Sequence, residues 1–189
     1  EKETFVYYET LKNRYPNVRI LTWKKEFNYS AINNFAVREA RGEYLLFLNN
    51  DVEIITESWL EEMLQLCQQK DVGMAGAKLY YPDDTIQHAG VVVGLGGVAA
   101  HVLCKLPRDA EGYMGRLRCV QEISAVTAAC MMVKTSVFKA VGGFDEELKV
   151  AFNDIDLCMK VRKYGVKIVF TPYAELYHYE SKSRGMEDT

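Results

Sequence analysis

No apolar run in this 189-residue chain approaches the roughly 20 residues that a membrane-spanning helix needs, and no stretch reads as a signal peptide. Positive charge is not in excess. The 23 Lys and Arg stand against 26 Asp and Glu, and a net charge of −3 gives no support for a surface that tracks nucleic-acid phosphates. No glycine-rich phosphate loop lies near the start, so the main signal of a nucleotidyltransferase is missing. Cysteine occurs five times, at 67, 104, 119, 130 and 158, an odd number without a C-x-x-C pair. That spacing indicates neither a zinc knuckle nor a disulfide framework. The five lie mostly in apolar stretches and read as reduced, buried thiols of a cytoplasmic protein.

What is present suits one globular domain with a sizeable core: 49% hydrophobic and 26% charged residues. The stretch that organises it is Tyr44-Leu45-Leu46-Phe47-Leu48-Asn49-Asn50-Asp51-Val52-Glu53. Its unbroken apolar run suits a strand buried on both faces, as in a parallel sheet covered by helices. Ligands of open α/β sheets sit beyond the carboxyl ends of such strands, which is where Asp51 falls. The same three polar residues also make an ordinary turn.

Residues 1–15 read as a helix closed by Pro16. An α/β domain that opens on a helix lacks its first strand, so the chain is expected to be a fragment. Val18–Trp23 reads as a strand, and Asn28 or Ser30 as the cap of a helix running to about Ala40. Asn33 and Asn34 lie in its first turns, where their amides either read a ligand or face solvent. A second helix carries the stripe Trp59, Leu60, Met63, Leu64 and Cys67. A strand follows over 72–79, then a turn at Pro82-Asp83-Asp84. Residues 85–119 are irregular and glycine-rich, as a lid or binding loop often is. His88 and His101 within them read as structural, because no second metal ligand stands at a helpful spacing. Strand character returns over 122–133. Thr135 or Ser136 then caps a short helix ended by Gly142-Gly143. Asn153 reads as the cap of a helix with Asp154 in its first turn, and strands over 166–170 and 174–178 complete the pattern. The polar tail 180–185 reads as mobile.

In order and spacing, four of these pieces resemble the family-2 glycosyltransferases. They are Ala40-Arg41-Gly42-Glu43-Tyr44 through Asn49-Asn50-Asp51; Ala128-Ala129-Cys130-Met131; Gly142-Gly143-Phe144-Asp145; and Asn153-Asp154-Ile155-Asp156-Leu157-Cys158 with Arg162 and Gly165. His178, followed by Ser181 and Arg184, is similar to the family's C-terminal signature. The resemblance implies the α/β GT-A type nucleotide-diphospho-sugar transferase fold, a central, mostly parallel sheet flanked by helices, here N-terminally truncated. Residues 1–84 would bind the donor, and 85–189 the acceptor and the catalytic groups. The family's acidic D-x-D stands here as Asn49-Asn50-Asp51, its first carboxylate replaced by an amide.

The resemblance further implies transfer of a sugar from a nucleotide-diphosphate sugar to a saccharide or polysaccharide acceptor. Asp154 would be the base of a single inverting displacement. A divalent cation, Mn2+ or Mg2+, would neutralise the leaving diphosphate, with Asp51 supplying a hard oxygen and His178 a nitrogen. Asn33, Asn49, Asn50 and Arg184 are the remaining donor-site candidates, Arg184 through bidentate contact with the diphosphate, with Lys182 beside it. No nucleic-acid partner is expected. The expected setting is cytoplasmic synthesis of bacterial surface polysaccharide, with peripheral association at the inner membrane face. The alternative is a module of the same fold that binds a nucleotide sugar or saccharide without catalysis.

Overall fold

The computed structural model describes residues 2–180. The chain runs α1 (Lys2–Arg14), α2 (Tyr29–Glu39), β1 (Tyr44–Leu48), β2 (Val52–Ile54), α3 (Trp59–Cys67), β3 (Val72–Tyr80) and β4 (Ile86–His88). It continues through β5 (Val91–Val93), β6 (Ala99–His101), β7 (Gln121–Glu122), β8 (Cys130–Lys134), α4 (Thr135–Ala140), α5 (Asn153–Lys163) and β9 (Lys167–His178). No helix among the described residues is long and apolar enough to cross a membrane.

A central sheet is ordered β1-β8-β3-β9-β2, with β4 on β3 and β7 on β9, and β5 pairs β6 in a separate hairpin. All nine residues of β3 are buried, as the middle of a two-faced sheet requires. Its side chains alternate: Met74 and Tyr80 join the core with Phe47, Phe138, Phe144 and Leu157, while Ala75, Ala77 and Leu79 pack with Trp59, Met63 and Cys67 of α3. Gly76 is required there. A Cβ on it would lie 2.5 Å from Val126, whose side chain occupies that space.

Several expectations need correction. The sheet is mixed rather than mostly parallel: of its pairings only β3–β9 is parallel. β1, β3 and β9 do share one direction, but the antiparallel β8 lies between β1 and β3. Val18–Trp23 pairs with no strand among the described residues, because β propensity makes a strand only where a neighbour offers hydrogen bonds. The strand expected over 122–133 is two, β7 and β8, since β7 pairs β9 while β8 sits between β1 and β3. The two expected strands at the end are one, β9, whose register against β3 shifts between Gly76 and Lys78 around Pro172, which has no N–H to donate.

Caps differ as well. Asn28 does cap α2, accepting from Ala31 N at 2.9 Å. Thr135 is already helical and donates its hydroxyl to Gly42 O instead. Asn153 is the first helical residue of α5, not its cap; Phe152, in a left-handed conformation at φ 61°, holds that place. Of the cysteines, 67, 130 and 158 are buried, 104 is half-buried and 119 is exposed. Burial pushes the Cys67 and Cys130 thiols up to about 12 and Cys158 further in the same direction.

Candidate active site

The apolar run of β1 ends where its pairing ends. Leu48 faces Cys130, Asn49 N donates to Ala129 O at 3.0 Å, and the chain then turns through Asn49–Asp51. It returns as β2 along the end of β9, with Val52 opposite His178 and Tyr179 N donating to Asp51 O at 2.8 Å. This register brings two residues 127 positions apart into contact: Asp51 Oδ1 lies 3.3 Å from His178 Nε2. That carboxylate oxygen is buried and accepts no well-formed hydrogen bond among the described residues. Asn49 Nδ2 lies 3.1 Å from the same ring nitrogen, and Gln87 Oε1 lies 2.7 Å from Nδ1 on the other side. Asp51 and His178 together can hold a hard cation, leaving further positions for oxygens of a ligand or water.

Asp154 lies in the first turn of α5, where the helix N-terminus favours negative charge. Its Oδ1 accepts from Ile155 N at 2.9 Å and its Oδ2 from Ala128 N at 3.3 Å. Residues 127–129 act as a strut between the two acidic positions. Ala129 O holds Asn49, Ala128 N holds Asp154, Ala128 O accepts from the Tyr29 hydroxyl, and Thr127 N meets His88 Nε2 at 3.5 Å. The structure thus places Asp51 and His178 in contact and ties Asp154 to their turn through the strut.

His88 is fully buried and its Nδ1 lies 2.9 Å from His101 Nδ1. Burial pushes His88 well below the ordinary histidine range, and desolvation pushes His101 the same way against the raising field of Asp154 and Glu180. His101 also lines a cavity of about 270 Å3 with Leu103, Tyr113, Arg116, Leu117 and Gln121. A wider depression of about 640 Å3 lies at Asp84, Arg108 and Glu175, and none of the expected site residues lines it.

The other candidates fall elsewhere. Asn33 turns its amide back on its own helix, donating to Tyr29 O at 2.8 Å. Asn34 clamps the main chain of Phe144, donating to its O at 2.9 Å and accepting from its N at 3.1 Å. A Cβ at Gly143 would meet Asn34 Oδ1 at 2.8 Å, which accounts for glycine there. Asn50 is exposed at the turn. Ser181, Lys182 and Arg184 lie outside the described residues. Sequence reasoning missed Gln87, whose partner is 91 positions away and whose own strand has only three residues.

The pattern of a glycosyltransferase-like family matches residues 13–186. An uncharacterized protein of Sinorhizobium fredii, y4gI, is 54% identical over 190 residues, covering 100% of this chain and 21% of the relative. The O-antigen biosynthesis protein RfbC of Myxococcus xanthus is 42% identical over 170 residues, covering 89% of this chain and 13% of the relative. The chain thus spans a small part of the curated relatives it matches. The likeness extends to solved structures: GalNAc-T7 with UDP, GalNAc and Mn2+ superposes with a TM-score of 0.73 at 13% identity, over 100% of this chain and 37% of that one. The Pyrobaculum calidifontis mannosyltransferase PcManGT with GDP-Man and Mn2+ gives 0.65 at 14% identity, over 93% and 44%. At such identities the likeness shows the fold, which is GT-A.

Proposed function

Because the chain belongs to the glycosyltransferase-like family, we propose that it transfers a sugar from a nucleoside-diphosphate donor to a hydroxyl of a saccharide acceptor, with inversion. The observation that carries this reading is the contact of Asp51 with His178 beside the strut that holds Asp154. In the reaction the acceptor oxygen attacks the anomeric carbon and its proton passes to Asp154. The bond from that carbon to the diphosphate oxygen breaks, and the nucleoside diphosphate departs. A single displacement of this kind needs a base and no protein nucleophile. The backbone bonds from Ala128 and Ile155 aim the Asp154 carboxylate and limit its rotation.

The residues fit a divalent cation: a buried carboxylate oxygen without a hydrogen-bond partner among the described residues faces a ring nitrogen. Asp51 and His178 would hold the ion, which when bound neutralises charge gathering on the leaving diphosphate. Among the described residues no group of three His, Cys, Asp or Glu side chains could hold a metal, so donor oxygens and water would complete the shell. Mn2+ in the complexes of GalNAc-T7 and the mannosyltransferase supports the same reading. Residues 1–84 would serve the donor and 85–189 the acceptor, with acceptor choice in the irregular stretch around the cavity at His101. A cytoplasmic site of action, at the inner membrane face for a lipid-linked polysaccharide acceptor, belongs to this proposal. So does surface-polysaccharide synthesis, supported by the relative RfbC, named as an O-antigen biosynthesis protein.

One observation favours a second reading, donor binding without transfer: both Asp154 oxygens already accept backbone hydrogen bonds, which competes with taking a proton. A panel of nucleotide sugars separates the two. Transfer predicts Mn2+-dependent release of nucleoside diphosphate for one donor, rising with an acceptor saccharide. Calorimetric binding of that donor with no release over any acceptor would leave only the second reading.

A further inference from the structure

His178 has two ring nitrogens, and in the neutral ring only one carries a proton. Its nearest polar neighbours decide which. Gln87, buried on β4, sets its amide nitrogen 3.3 Å from His178 O and 3.1 Å from Glu180 Oε2. Both of those atoms only accept, so the group facing them has to be the NH2. The opposite orientation would crowd three oxygens together. The Gln87 oxygen therefore faces His178 Nδ1 at 2.7 Å, and Nδ1 is the nitrogen that donates. Nε2 keeps its lone pair, on the side where the Asn49 amide nitrogen lies at 3.1 Å and Asp51 Oδ1 at 3.3 Å.

The other tautomer would undo the site. A proton on Nε2 would point at Asp51 Oδ1, and the two would satisfy each other as an ordinary histidine–aspartate hydrogen bond. With the proton on Nδ1, Nε2 accepts from the Asn49 amide, and Asp51 Oδ1 is left 3.3 Å from that ring nitrogen with no donor among the described residues. A cation taking the place of the Asn49 amide would satisfy both. We propose that Gln87, anchored by Glu180, is a positioning residue that holds His178 in the Nδ1–H form and so keeps the Asp51–His178 pair open for a divalent cation. This rests on the metal reading above and assigns to it a residue on a different strand. Groups that orient a ligating histidine through its far nitrogen set metal affinity in this way.

The test uses the intact chain. Long-range 15N–1H correlation of the metal-free protein reads the His178 tautomer directly, and Mn2+ affinity is followed by electron paramagnetic resonance, with and without UDP or GDP. The wild type is expected to show Nδ1–H. Gln87→Met is expected to move the ring toward Nε2–H and to weaken Mn2+ binding about tenfold to a hundredfold. The exchange Gln87→Glu with Glu180→Gln keeps an acceptor at Nδ1 and a donor–acceptor pair between 87 and 180. It should return the tautomer and bring affinity to within about fivefold of wild type, which a loss of packing alone would not do. An Nε2–H ring in the wild type, or equal Mn2+ affinity in Gln87→Met, overturns the role of Gln87 while leaving the metal reading intact. A wild-type chain that binds no Mn2+ even with the nucleoside diphosphates overturns the metal reading, and this inference with it.

Discussion

The two corners of the site are built from different materials. At Asp51 and His178 the contacts run from side chain to side chain, through Asn49, Gln87 and Glu180. At Asp154 they run from side chain to main chain, through Ile155 N and the strut at Ala128. The first corner is therefore open to tuning by single substitutions of its neighbours. The second is fixed by where the backbone goes, and disturbing it requires moving the sheet.

The sharpest break in that comparison is a pair of substitutions. Asp154→Asn should lower transfer by about a thousandfold, the scale of a lost general base, while Mn2+ and nucleoside diphosphate still bind. Asp51→Ala should do the reverse at the level of binding, weakening Mn2+-dependent donor affinity about tenfold to a hundredfold by calorimetry. Equal transfer in Asp154→Asn would remove the base from the mechanism. Unchanged donor affinity in Asp51→Ala would remove the cation's anchor.

A smaller effect tests the backbone side alone. Gly76→Ala pushes a methyl into Val126, next to the strut, and should cost about 1–3 kcal/mol in urea unfolding. Transfer by the folded fraction should fall more than Mn2+ affinity does, because the strut carries Asp154 directly and reaches Asp51 only through Asn49. Parallel losses would mean that the two corners move as one body.

The mildest test is acidity. His88 is buried in the neutral form, with its folded value well below that of the unfolded chain. The unfolded state then binds a proton that the folded state refuses, so stability should fall as pH drops below about 6.5 and continue to fall toward the folded value. Urea midpoints from pH 7.5 to 5 would show a slope that flattens in His88→Gln. An unchanged slope would place the acid sensitivity elsewhere.

Much of the scaffold was legible from spacing alone. α3 announced itself by its stripe and β3 by its run of small residues, because both signals are local. The turn at Asn49–Asp51 was legible because an apolar run stops where its pairing stops. Residues 123–129 were misread for the same reason that β3 was read well: small apolar residues look alike whether they pair or bridge between pairings. Val18–Trp23 has the composition of a strand, and no local signal says whether a neighbour will be beside it. Gln87 was invisible, since its meaning lies in a histidine 91 positions downstream. The family resemblance supplied Asp154 and His178, which no periodicity would have singled out.

The uneven exposure of the thiols has a practical consequence. Cys119 is exposed and lies between Leu117 and Gln121, both on the wall of the cavity at His101, whereas three of the other sulfurs are sealed in the interior. The molecule therefore carries its own attachment point for a fluorophore two residues from the lining of the pocket proposed for the acceptor. With Cys104 changed to serine, a dye there would watch that pocket fill while the core kept every sulfur it was folded around.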